Sequence, residues 1–182
     1  MRASLLPASG LALALTACAS PRAPAPSPVP PPVQRPAPPA GPVVTGERAP
    51  ASWDVADLSP GEWRLREDAG AGSAQFGVPG QRAEAALSCS RGQLTLVRLA
   101  PNLSVGARHH LRVRTSYGEH HLPATHDTAG TPTLSATVGA RSPMWDEVSY
   151  SRGRFVVEGS GVAPLIIPVR SELIHLLERC RT

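Results

Sequence analysis

No lysine occurs in the chain, so every one of its eighteen strongly basic side chains is an arginine. Aromatic residues are also scarce, seven among 182 residues, and no basic stripe interleaves with them, which excludes a stacking platform for nucleic acid. No apolar run reaches the roughly twenty residues that a membrane-crossing helix needs. GxSxG, HExxH and P-loop patterns are missing, and Gly70-Ala71-Gly72 lacks the third glycine of a dinucleotide fingerprint, so it reads as a turn. The acid pairs Glu67-Asp68 and Asp146-Glu147 are adjacent, which sends alternate members to different faces of a strand and favours a solvated role. The sequence therefore offers no catalytic residue and implies no cofactor or metal.

The chain as a whole is basic, with a pI of about 9.6. The excess is local. Arg2, Arg22, Arg35, Arg48 and Glu47 all precede residue 50, and setting them aside leaves fourteen arginines against thirteen acids. A nearly neutral remainder gives no electrostatic footprint for a nucleic-acid partner.

Met1-Arg2 supplies a positive start, and Leu5 to Leu15 follows as a short apolar run of small and aliphatic residues. This is the pattern of a secretion signal over residues 1–17. Leu15-Thr16-Ala17-Cys18 stands next and resembles the bacterial lipobox, which implies cleavage before Cys18 and lipid attachment to its thiol. Each buried methylene contributes about 0.8 kcal/mol, so several acyl chains on one cysteine would hold the protein on a membrane. Ala19, where an aspartate would retain the protein, implies release to the outer membrane. Ser20 to Val44 then carries eleven prolines. Proline fixes φ and removes the amide donor, so residues 18–49 read as a disordered, extended linker, with a reach on the order of 75 Å.

From residue 50 to residue 182 the pattern changes to short alternating runs separated by Gly, Pro, Ser and Asn. Strands are expected at Glu62 to Glu67, Ala83 to Cys89, Gln93 to Leu99, His110 to Ser116, Glu119 to Ala124, Thr133 to Val138, Arg154 to Glu158 and Leu165 to Val169. About eight strands at this spacing suit a small antiparallel β-sandwich or barrel. Ser142-Pro143 resembles a helix start, with Asp146 and Glu147 complementing it, over Pro143 to Val148. Leu173, Leu176, Leu177 and Cys180 form a buried helical stripe, so a C-terminal helix packs on the sheet. With Cys18 lipidated, Cys89 and Cys180 remain, and an even pair in an oxidising compartment favours a disulfide over a cysteine catalyst.

His109, His110, His120, His121 and His126 fall within eighteen residues. A tight turn at Tyr117-Gly118 predicts a hairpin in which Ser116 faces Glu119, Arg114 faces His121 and His109 faces His126. One face then carries His110, Arg112, Arg114 and His121, and the other Leu111, Val113, Leu122 and Ala124. The polar set reads first as a solvated face. As a site it would suit a carboxylate or phosphate, which guanidinium forks match, whereas metal ligation lacks an ordered HxH or HxxxH spacing.

Gly61-Glu62-Trp63-Arg64-Leu65-Arg66, Gln75-Phe76-Gly77, Leu87-Ser88-Cys89, Arg114-Thr115-Ser116-Tyr117-Gly118, Ser151-Arg152-Gly153-Arg154-Phe155 and Glu178-Arg179-Cys180-Arg181 together resemble a family of small alphaproteobacterial, sphingomonad-like lipoproteins of unknown function. The resemblance spans roughly residues 50–182, implies the Cys89 to Cys180 pairing and carries no catalytic assignment. A non-enzymatic, lipid-anchored binding or structural module of the cell envelope is the expected function, with an envelope protein or cell-wall partner. The alternatives are an inhibitor of a lysozyme-like or protease hydrolase, presenting an exposed loop such as Ser160 to Pro164, and an enzyme of unrecognised type.

Overall fold

The structure, a computed structural model, describes residues 48–68, 71–103 and 107–182. The expected signal peptide, Cys18 and nearly all of the proline-rich linker lie outside the described residues. The described elements run, in chain order, β1 (Glu62–Asp68), β2 (Ala71–Gly77), β3 (Ala85–Ser90), β4 (Gln93–Leu99), β5 (His109–Arg114), β6 (Glu119–Asp127) and β7 (Thr133–Gly139), then α1 (Pro143–Tyr150), β8 (Arg154–Gly159), β9 (Val162–Pro168) and α2 (Ser171–Arg181). The strands form one antiparallel sheet in the order β1-β2-β3-β4-β7-β6-β5-β8-β9, curled into a half-barrel. The mainly β fold with a C-terminal helix is thus the one the alternation predicts, with one strand more than expected.

Alternation places the core. In β4, Leu94 and Leu96 are buried while Thr95 and Val97 are only partly covered, and a single apolar cluster joins residues such as Phe76, Leu87, Leu111, Leu134 and Phe155 from across the sheet. Met144, Trp145 and Val148 of α1 and Leu173, Leu176 and Leu177 of α2 enter the same cluster. Cys180 on α2 is bonded to Cys89 on β3, a pairing that closes a separation of 91 residues. Pro143 starts α1 as expected, but Ser142 makes no side-chain cap.

The extra strand is β2. Ala71 and Gly72, expected in a turn, pair with Asp68 and Glu67 of β1. A Cβ at Gly72 would stand 3.0 Å from Leu176 Cδ1, so glycine serves here to let α2 lie close to the sheet rather than to turn the chain.

Residues 48–59, ahead of β1, run as a strap over the outer face of β5, β8 and β9. The Ala49 amide donates to Glu158 Oε1 at 2.8 Å, and Ser59 exchanges two bonds with Ile166, its amide to the carbonyl and its hydroxyl from the amide. Trp53 and Ala49 bury themselves against Val156 and Ile166 in a second small core. Strand β8 is therefore apolar on both faces, Phe155 and Val157 inward and Val156 beneath the strap. Among the described residues Ala49 is already buried in the packed domain.

Candidate functional site

The β5–β6 hairpin is connected by Thr115-Ser116-Tyr117-Gly118. A two-residue turn at Tyr117-Gly118 would need left-handed backbone, and neither residue has a positive φ. Instead the Thr115 hydroxyl accepts the Tyr117 and Gly118 amides at 3.1 Å each. The ladder consequently differs by two positions from the expected one: Arg114 faces Glu119, Arg112 faces His121, and His109 faces Ala124. A two-residue displacement keeps every side chain on its predicted face. His109 and His126 still meet, as diagonal neighbours, with ring centroids 5.1 Å apart in an edge-on arrangement.

On the predicted polar face the two arginines are already satisfied from within the chain. Glu158 of β8 is 2 % exposed and lies opposite Arg112 across the β5–β8 ladder. Its carboxylate binds Arg112 through Nε and a terminal nitrogen, and Arg114 at 3.4 Å. Arg114 also pairs with Glu119 at 2.9 Å, and its guanidinium lies 5.8 Å from the centre of the Trp53 ring. Around Arg112 the face is therefore not solvated as its alternation implies: the strap covers it there, and the carboxylate that these guanidinium forks hold is Glu158, whereas His121 on the same face stays exposed.

His110 and His121 instead line a cleft of about 570 Å³, walled further by Ala107, Leu122, Pro123 and Ala124 and edged by Arg108. His109 also borders it; this side chain is 8 % exposed, and neither ring nitrogen has a hydrogen-bond partner among the described residues. Burial, then the neighbouring Arg112, His121 and His109, hold the His110 pKa below its ordinary value of 6.5, with Glu158 opposing them. The Ser160 hydroxyl accepts the His110 backbone amide and lies 3.1 Å from Nδ1. A hydroxyl that accepts one bond and donates the other to Nδ1 leaves the proton of the neutral ring on Nε2. The cleft thus offers an imidazole donor beside apolar walls.

A protonated His110 disfavours the fold, because the unfolded chain binds that proton at higher pH than the native one does. Stability should be fully present above the unfolded pKa and should fall as pH drops through 6.5. Urea denaturation of the wild type and of His110→Gln at pH 7.5 and 5.5 measures this: the wild type should lose more stability on acidification than the variant, and equal losses would contradict the burial account.

Ser160 and His110 have the composition of a nucleophile and its base, yet Ser160 is 0 % exposed and its hydroxyl is committed to His110. No substrate reaches it. The segment Ser160 to Pro164 is likewise not the protruding loop expected of an inhibitor: Ser160 and Val162 are buried, Val162 to Pro164 belong to β9, and the Ala163 carbonyl accepts Arg98 at 3.0 Å. His120 sits apart on the opposite face, its Nε2 2.7 Å from Glu147 of α1, which also accepts the Thr115 hydroxyl. Asp146 pairs with Arg181 at 2.8 Å, so neither acid of that pair is merely solvated. Among the described residues no three His, Cys, Asp or Glu side chains converge closely enough to hold a metal ion.

Glu158, Ser160 and the strap are the parts of the site that sequence reasoning missed. For Glu158 a signal existed: an acid directly after Phe155-Val156-Val157 in an apolar strand demands a buried partner. Comparison of the chain with protein-family models, with curated proteins and with solved structures finds no match.

Proposed function

We propose that this chain is a lipid-anchored protein of the bacterial cell envelope, held at the outer membrane through Cys18, whose domain binds an envelope partner rather than turning over a substrate. The observation that carries this reading is Leu15-Thr16-Ala17-Cys18 directly after an apolar run. The Cys89 to Cys180 bond supports it from within the domain, because such bonds persist in compartments outside the reducing cytosol. The binding part of the reading is supported by the cleft beside His110 and His121, where a partner group meets an imidazole donor against Leu122, Pro123 and Ala124. Its partner is an envelope protein or a cell-wall component, and the near-neutral domain favours neither nucleic acid nor a purely electrostatic contact.

Cells producing the chain and fed an alkyne analogue of palmitate should yield a labelled, membrane-fractionated protein, and Cys18→Ala should abolish the label and release the protein from the membrane. An unlabelled, soluble wild-type chain in the cytosol would overturn the anchoring. A photo-cross-linking residue at His121, which is exposed, should then give a discrete adduct in intact cells, whereas one at Arg152 should not.

A further inference from the structure

The remaining arginines are distributed unevenly with respect to the acids. Arg98 pairs with Glu84, Arg112 and Arg114 with Glu158 and Glu119, and Arg181 with Asp146. Arg64, Arg66 and Arg82 have no carboxylate within ion-pair distance among the described residues, and they line one concavity of about 540 Å³ together with Gln75 and Gln81. Arg64 and Arg66 alternate on β1 and so share its outer face, roughly 6.6 Å apart along the strand. Gln75 stands directly opposite Arg64 on β2, and its Oε1 accepts Arg66 Nε at 3.2 Å. That bond fixes the Arg66 fork while leaving its terminal nitrogens and the Gln75 amide nitrogen as donors.

The third arginine is brought in by the β2–β3 loop, whose backbone is tied down. The Gln81 amide donates to the Val78 carbonyl at 3.0 Å and the Glu84 amide to the Phe76 carbonyl at 2.8 Å, with Gly80 turning the chain at φ +78°. Glu62, two residues from Arg64 on the same face of β1, makes no ion pair among the described residues. Three like charges gathered in one concavity repel one another, and the group that relieves them is an anion.

We propose that Arg64, Arg66 and Arg82, with Gln75 and Gln81, form a binding site for an oxyanion, a phosphate or carboxylate group. It is separate from the β5–β6 cleft and independent of the anchoring of Cys18. Guanidinium forks supply paired donors to such groups, and charge-assisted bonds are the stronger kind. The two glutamine amides add neutral donors, which favours an anion with several oxygens over a monatomic one.

Isothermal titration of the full chain in neutral detergent with inorganic phosphate and with citrate, at ionic strength held constant with chloride, tests the site. Saturable millimolar binding of at least one probe is expected, weakened about ten-fold by Arg64→Gln or by Arg82→Gln and unchanged by Arg152→Gln. Phosphate tighter than citrate identifies a phosphorylated ligand, and the reverse order a carboxylate one. Absence of saturable heat for both probes, or equal weakening by Arg152→Gln, overturns the proposal, and circular dichroism of each variant separates a lost site from a lost fold.

Discussion

Glu158→Ala should destabilise the domain by about 3 to 5 kcal/mol, because it leaves the guanidinium of Arg112, itself only 7 % exposed, without its hydrogen-bonded carboxylate and with Glu119, 3.9 Å away, as its remaining acid. The loss should have a second part. Glu158 is also the acceptor of the Ala49 amide, so the strap loses its first attachment to β8 and Trp53 becomes easier to expose. Urea unfolding followed by tryptophan fluorescence measures the total, and limited proteolysis near residue 50 reports the strap. A loss below about 1 kcal/mol would show the pair to be replaceable by water. Replacing both partners with apolar residues, Arg112→Met with Glu158→Leu, should recover much of the loss, since removal of a matched buried pair is far cheaper than orphaning one member.

Breaking the bond between Cys89 and Cys180 should be comparably severe. Closing a loop of 91 residues restricts the unfolded chain by about 4 to 5 kcal/mol in the chain-entropy account. That is a large part of the roughly 5 to 15 kcal/mol that holds most domains folded. The double variant Cys89→Ser with Cys180→Ser should therefore melt on the order of 15 °C below the oxidised wild type. Dithiothreitol should reproduce the shift in the wild type and do nothing to the variant. Identical melting with and without reductant would mean that α2 is held by Leu173, Leu176 and Leu177 alone.

What could be read in the residues was whatever a single segment encodes. The two-residue alternation of β4, β5 and β7 and the stripe of α2 each fix one buried face locally, and all four lie where that pattern puts them. Strand β2 escaped because Ala71-Gly72-Ser73-Ala74 has small side chains that carry little hydrophobic contrast, and because its glycine answers to Leu176, about a hundred residues later. The hairpin register depended on a threonine hydroxyl capping a turn, a choice that alternation does not encode. Nor does alternation reveal what covers a face. Arg112 and Arg114 look solvent-facing in β5 alone, and become interior only when Trp53 and Ala49 arrive from fifty or more residues upstream. The imidazole of His110 is likewise defined by Ser160, on the turn between β8 and β9.

The cross-link from β3 to the last helix makes the stretch between its two ends a covalent ring, carrying β4 through β9 and most of α2. A protease that cuts the backbone once inside that ring opens it without producing two molecules. Under non-reducing conditions the nicked protein keeps its full mass plus one water, and only a reductant liberates the piece that ends at Thr182.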